Sequence, residues 1–79
     1  MDRIKVFNII KEICCDIFDN DDLEIDLNTN STDIDQWDSL NHLNLMSTIQ
    51  EEFNIKFDFE EIGSLKNIGD IVSLVSEKL

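Results

Sequence analysis

Asp38, Ser39 and His42 put a carboxylate, a hydroxyl and an imidazole close together near the middle of the chain, with Trp37 just ahead of them and Leu40 among them. By residue type these three could form an acyl-transfer triad. Their spacing argues against it. All three crowd around one helix start, and no separate set of donors for an oxyanion is apparent. A serine at a helix start also has a simpler use, as an N-cap whose side chain accepts from a backbone N–H of the first turn.

Other chemistries fail on spacing. Asp26, Asn28 and Asn30 match the first three ligand positions of a calcium-binding helix–loop–helix, but Ser31 then stands where the turn glycine belongs and Trp37 where the bidentate glutamate belongs. One histidine and no suitably spaced cysteine pair give no structural zinc site, and no glycine-rich phosphate loop is present. Metal ligands are therefore not expected. Cys14 and Cys15 are adjacent, so a strain-free bridge between them is not expected. Cys14 falls on an apolar stripe, with Cys15 beside it, and both suit packing better than redox work.

The elements around Ser39 follow from apolar spacing. Val6, Ile10, Ile13 and Ile17, with Phe7 and Cys14, recur at helical intervals after a capping Asp2, which predicts a first helix over 3–18. Residues 19–38 have no helical period. Leu23, Ile25 and Leu27 alternate with polar residues in a strand-like way, but a lone strand has no partner here, so an extended loop pinned by these apolar residues is expected. Loops of this length are usually functional. A second helix is predicted over 39–53, with Leu45, Met46, Ile49 and Phe53 on one stripe. Leu40 points away from that stripe and Leu43 lies well off it. They are either a contact site or ordinary scattered surface apolarity.

Asn54 can end the second helix in the left-handed region. Asp58 and Glu61 are spaced as a capping box, so a short third helix starts there and Gly63 suits its end. Asn67 caps a last helix whose apolar face is Ile68, Ile71, Val72, Val75 and Leu79. The expected fold is all-α: a four-helix bundle of three longer helices and one short one, with a long loop between helices 1 and 2, in one domain over 1–79.

With 79 residues the core is thin, and a domain this small is more often a binding or carrier module than an enzyme. Eighteen acids against six Lys and Arg give a net charge of −12. Such a surface disfavours nucleic acid and anionic membranes and attracts basic faces of partner proteins. It also repels itself, which fits a monomer. No leader pattern and no run long enough for a membrane span are apparent, so a reducing cytoplasm with free thiols is expected.

Trp37-Asp38-Ser39-Leu40, followed by an amphipathic helix ending Glu51-Glu52-Phe53, resembles the acyl carrier protein family. The likeness extends over the whole chain in length, helix order, long first loop, acidity and central motif. It implies a stand-alone carrier, not an enzyme, with 4′-phosphopantetheine attached to Ser39 by a phosphopantetheinyl transferase, and Asp38 and Leu40 flanking the attachment. A phosphodiester at a helix N-terminus meets free amides and the positive end of the helix dipole. The arm would hold an acyl thioester at high effective concentration for enzymes that dock.

By the same resemblance the docking face is Asp38, Leu40, Leu43, Asn44, Ser47 and Glu51, offered to acyl-transfer or synthase enzymes with basic faces. Met46, Phe57, Ile62, Leu65 and Val72 are candidate liners for an acyl chain. Asn41, Asn44 and Gln50 stand where the fatty-acid carriers commonly have acids, Ser47 replaces a common apolar residue, and Trp37 and His42 are atypical of that group. Fatty-acid synthesis, a specialised acyl pathway and a peptidyl or D-alanyl carrier all remain open. So does an acidic helical docking module without a prosthetic group. His42 is either a gate beside the arm or a packed, hydrogen-bonded histidine near Trp37.

Overall fold

The computed structural model describes residues 2–79, which form four α-helices. Helix α1 spans Arg3–Ile17, α2 Ser39–Phe53, α3 Phe59–Ser64 and α4 Ile68–Lys78. Each start is fixed locally. The carboxylate of Asp2 accepts from Lys5 N at 2.8 Å, and that of Asp38 accepts from Asn41 N at 2.9 Å. The side chain of Asn67 accepts from Asp70 N at 2.8 Å. At α3 the capping box is reciprocal. Asp58 accepts from Glu61 N at 2.8 Å, and the Glu61 carboxylate accepts from Asp58 N at 2.9 Å. That backbone donor, and then the ammonium of Lys78, hold the Glu61 carboxyl below its usual range.

The first two helices end without glycine. Asp19 (φ 51°) and Asn54 (φ 55°) enter the left-handed region, which Asn and Asp tolerate. Asn20 N then donates to Cys15 O, and Ile55 N to Gln50 O, closing the last carbonyls. Gly63 does not serve as a stop. No glycine has positive φ, and α3 runs on to Ser64.

The core is built from the expected stripes. Val6, Ile10, Ile13 and Cys14 of α1, Leu45, Met46, Ile49 and Phe53 of α2, and Ile68, Ile71, Val72 and Val75 of α4 are buried together. Burial pushes the Cys14 thiol up to about 12, with the neighbouring Cys15 adding to the effect, so it stays protonated and inert. Leu79 departs from the expected α4 face and is exposed, because the helix ends before it.

The long loop is not an isolated extended segment. It is a run of turns held by Asp26 and Asn30 side chains. Asp26 accepts from Asn28 N at 2.8 Å, and Asn30 accepts from Thr32 N at 2.9 Å, so these residues act on their own backbone. The loop then joins the start of α4. Asn30 forms a bridge with Asn67, Ile68 N donates to Thr29 O at 2.9 Å, and Gly69 N donates to Leu27 O at 2.8 Å. Ile25 is buried and Leu23 half-buried, but Leu27 is exposed. Leu27 therefore pins the loop through its carbonyl rather than its side chain, and Ile34 and Trp37 supply further buried anchors.

Gly69 permits this approach. A Cβ there would stand 2.9 Å from the Leu27 oxygen. Alanine favours a helix over glycine by about 1 kcal/mol, while overpacking against backbone costs about 1–3 kcal/mol. On balance Gly69→Ala is expected to lower stability by about 1 kcal/mol, measured by thermal and urea melts. An unchanged or raised melting temperature would mean that the loop yields freely.

Candidate functional site

Ser39 is the first residue of α2, and Asp38, not Ser39, is the N-cap. This corrects the N-cap use of the serine. The Asp38 carboxylate takes Asn41 N, and the Asp38 carbonyl takes His42 N at 2.8 Å. The amides of Ser39 and Leu40 have no partner among the described residues, and the Ser39 side chain is exposed beside them. A serine ester formed here points its phosphate at the positive end of a helix of 15 residues.

Ser39 opens onto a surface groove of about 570 Å³ between the end of the long loop, α2, α3 and the α3–α4 link. Trp37, His42 and Leu43 form one side, and Phe59, Ile62 and Leu65 the other, with Asp38 and Lys66 as its charged members. Phe59 is 88% exposed at the rim. No sequence expectation singled out Phe59. An apolar residue just inside a capping box was the available signal, since that position faces outward. Lys66 and Ser31 reach the groove only through the fold. Of the five candidate liners, Ile62 and Leu65 reach the groove, while Met46, Phe57 and Val72 are packed in the core and are not among its lining residues.

The three triad-type side chains are close in sequence but differently employed. Asp38 caps the helix, and both ring nitrogens of His42 face other groups. Trp37 Nε1–H donates to His42 Nδ1 at 3.0 Å, and His42 Nε2 lies 3.1 Å from the carbonyl oxygen of Ile62. Among the described residues no base is directed at Ser39 Oγ, so none of them activates the serine. His42 is thus half-buried and hydrogen-bonded next to Trp37.

The remaining sequence-selected residues lie on the surface of α2. Leu40 is 69% exposed, and Leu43, Asn44, Ser47 and Glu51 are exposed too. Leu40, Asn44, Ser47 and Glu51 follow one another at three- and four-residue steps, which places them in one row along the helix.

Residues 8–75 match the family described as the phosphopantetheine attachment site. The chain belongs to the acyl carrier protein family. It is 33% identical over 79 residues to the acyl carrier protein of Petrotoga mobilis, which covers all of this chain and 93% of that one. It is 34% identical over 73 residues to that of Streptococcus thermophilus, covering 92% and 95%. The holo acyl carrier protein of Geobacter metallireducens, solved in solution, superposes with a TM-score of 0.86 at 37% identity, covering 92% of this chain and 84% of that one. A putative acyl carrier protein from Mycobacterium tuberculosis gives 0.84 at 25% identity, covering 91% and 96%.

Members of the acyl carrier protein family are non-enzymatic carriers bearing covalently attached phosphopantetheine, and the four-helix architecture is theirs. The chain is therefore a carrier and not an enzyme. Its exposed serine at a helix N-terminus with free amides fits a phosphodiester. Among the described residues, no helix is long and apolar enough to cross a membrane.

Proposed function

We propose that this chain carries acyl intermediates as thioesters on 4′-phosphopantetheine attached to Ser39, in the cytoplasm, as one carrier domain over 1–79. The observation that supports the site most is the exposed Ser39 hydroxyl on the first residue of α2, beside two unpartnered amides. The arm's thiol supplies the thioester chemistry. Asp38 holds the first turn in shape through its two hydrogen bonds. Leu40, whose side chain is turned to solvent, presents the apolar contact beside the attachment point.

A phosphopantetheinyl transferase and acyl-transfer or synthase enzymes with basic faces are the partners. They meet Asp38, Leu40, Leu43, Asn44, Ser47 and Glu51. The net charge of −12 favours such faces. The cargo belongs to fatty-acid synthesis or a specialised acyl pathway. A peptidyl or D-alanyl carrier uses the same arm with an aminoacyl thioester. Incubation with coenzyme A, magnesium and a broad-specificity transferase, followed by intact mass, tests the site. Thioester mass after loading in a host lysate then tells acyl from aminoacyl cargo. A chain that gains no mass would return the acidic docking module.

The docking row has its own test. Leu40→Ala and Glu51→Lys are each expected to leave the helical circular dichroism intact and to lower transferase efficiency roughly threefold to tenfold, equivalent to about 0.7–1.4 kcal/mol. The charge reversal should act more strongly at low salt. A collapsed helical signal would mean that these side chains support the core. Unchanged efficiency would place docking elsewhere.

A further inference from the structure

The ring of His42 joins three parts of the molecule that frame Ser39. On one side the indole N–H of Trp37 donates to Nδ1 at 3.0 Å, and on the other Nε2 faces the Ile62 carbonyl at 3.1 Å. An indole N–H only donates and a carbonyl only accepts. One protonation state satisfies both, the neutral ring with its hydrogen on Nε2. The two ring planes lie within 22° of each other, with centroids 6.0 Å apart, and the Trp37 ring is 5.9 Å from that of Phe18.

The tie matters because its two ends are the walls of the groove. Trp37 precedes the Asp38–Ser39 helix start directly, so its position sets the end of the loop. Helix α3 has six residues and none buried. It is held to its neighbours by few polar links, the His42–Ile62 hydrogen bond and the Glu61–Lys78 ion pair at 3.0 Å.

We propose that His42 is a positioning residue for the groove at Ser39, holding the loop end and α3 on α2 while neutral and releasing Trp37 when Nδ1 takes up a proton. The proton comes from solvent and binds the Nδ1 lone pair. The cationic ring then has an N–H at both nitrogens. Its bond to Ile62 survives, while the Trp37 N–H faces another donor and loses its acceptor.

Charged groups come from three segments that bound the groove. Asp38 at the start of α2 and Lys66 from the α3–α4 link line the same groove, one of each sign. Glu61 of α3 is engaged by Lys78 and by the Asp58 amide. Phe18, at the end of α1, is apolar.

The chain has one His and one Trp, so both partners can be followed without assignment ambiguity. In nitrogen-15 spectra at neutral pH, His42 is expected to show a protonated Nε2 and an unprotonated, hydrogen-bonded Nδ1. On acidification the Trp37 indole N–H resonance should move upfield in one step, with the same midpoint as the His42 ring resonances. His42→Gln supplies an amide oxygen for Trp37 and an amide N–H for Ile62, and cannot take up the proton. In that variant the indole resonance should hold still across the range.

An Nδ1–H tautomer in the wild type would overturn the proposal, and this needs no variant to fold. So would an indole resonance that ignores the His42 titration, or one that still moves in His42→Gln. The consequence for loading rests on Ser39 as the attachment site. The ratio of transferase efficiency, wild type to His42→Gln, should fall several-fold on acidification, over the same range in which the Trp37 indole resonance moves. A constant ratio would overturn the coupling to the groove. A chain that is not loaded at any pH would instead remove the Ser39 assignment, while the spectra still decide the role of His42.

Discussion

Ser39→Ala is expected to abolish attachment. The wild-type chain should gain the mass of one phosphopantetheine after incubation with coenzyme A, magnesium and a transferase, and the variant none. The effect is all or none because the ester needs an oxygen on Cβ, and alanine has no atom there to accept the phosphoryl group. The fold should persist. Asp38 is the N-cap, so the variant keeps the bond to Asn41 N, and alanine is a good helix former at the first position. Circular dichroism and melting temperature should therefore match the wild type. That separates loss of the attachment point from loss of structure. Mass gain in Ser39→Ala would move the attachment to another hydroxyl.

Trp37→Ala should have the largest effect on stability. The side chain is 5% exposed, packs on Phe18, and holds His42 through its N–H. Truncating a buried large aromatic costs about 3–5 kcal/mol. Domains are stable by roughly 0.05–0.15 kcal/mol per residue, on the order of 4–12 kcal/mol for a chain of this size, so the loss removes from about a quarter to all of the stability, and the urea midpoint should fall sharply. Urea melts measure it. Trp37→Phe separates the two roles. It keeps a ring against Phe18 but leaves His42 Nδ1 without a donor in a half-buried position, at a cost of about 1 kcal/mol. A loss of under about 1 kcal/mol in Trp37→Ala would show that Trp37 sits on the core without bracing it.

The core stripes of α1, α2 and α4 were legible because burial follows a period of about 3.6 residues, and that period is local information. The caps were legible for the same reason. Asp2, Asp58 with Glu61, and Asn67 each find their partner three residues away. The motif at residues 37–40 marked the start of α2, but not which residue caps it. Asp38 and Ser39 are both good caps by type. The backbone chose Asp38, whose extended conformation aims its carboxylate at Asn41 N. Leu27 misled for a related reason. Alternating apolar residues suggest side-chain anchoring, whereas here the anchor is a carbonyl that only a glycine at position 69 lets approach.

By itself the sequence determined four helices with their order and starts, an acidic surface, and Leu40 turned away from the apolar stripe of α2. These follow from residues within one or two turns of each other. Only the tertiary structure decided the groove beside Ser39. Phe59, Ile62 and Lys66 come to it from beyond α2, and His42 meets Ile62 across 20 residues. The loop's seat on α4, Thr29 and Leu27 accepting from Ile68 and Gly69, is likewise set by pairing of distant backbone. No local period encodes such contacts. They appear only when the helices bury their stripes against each other and the remaining polar groups must find partners where packing has left them.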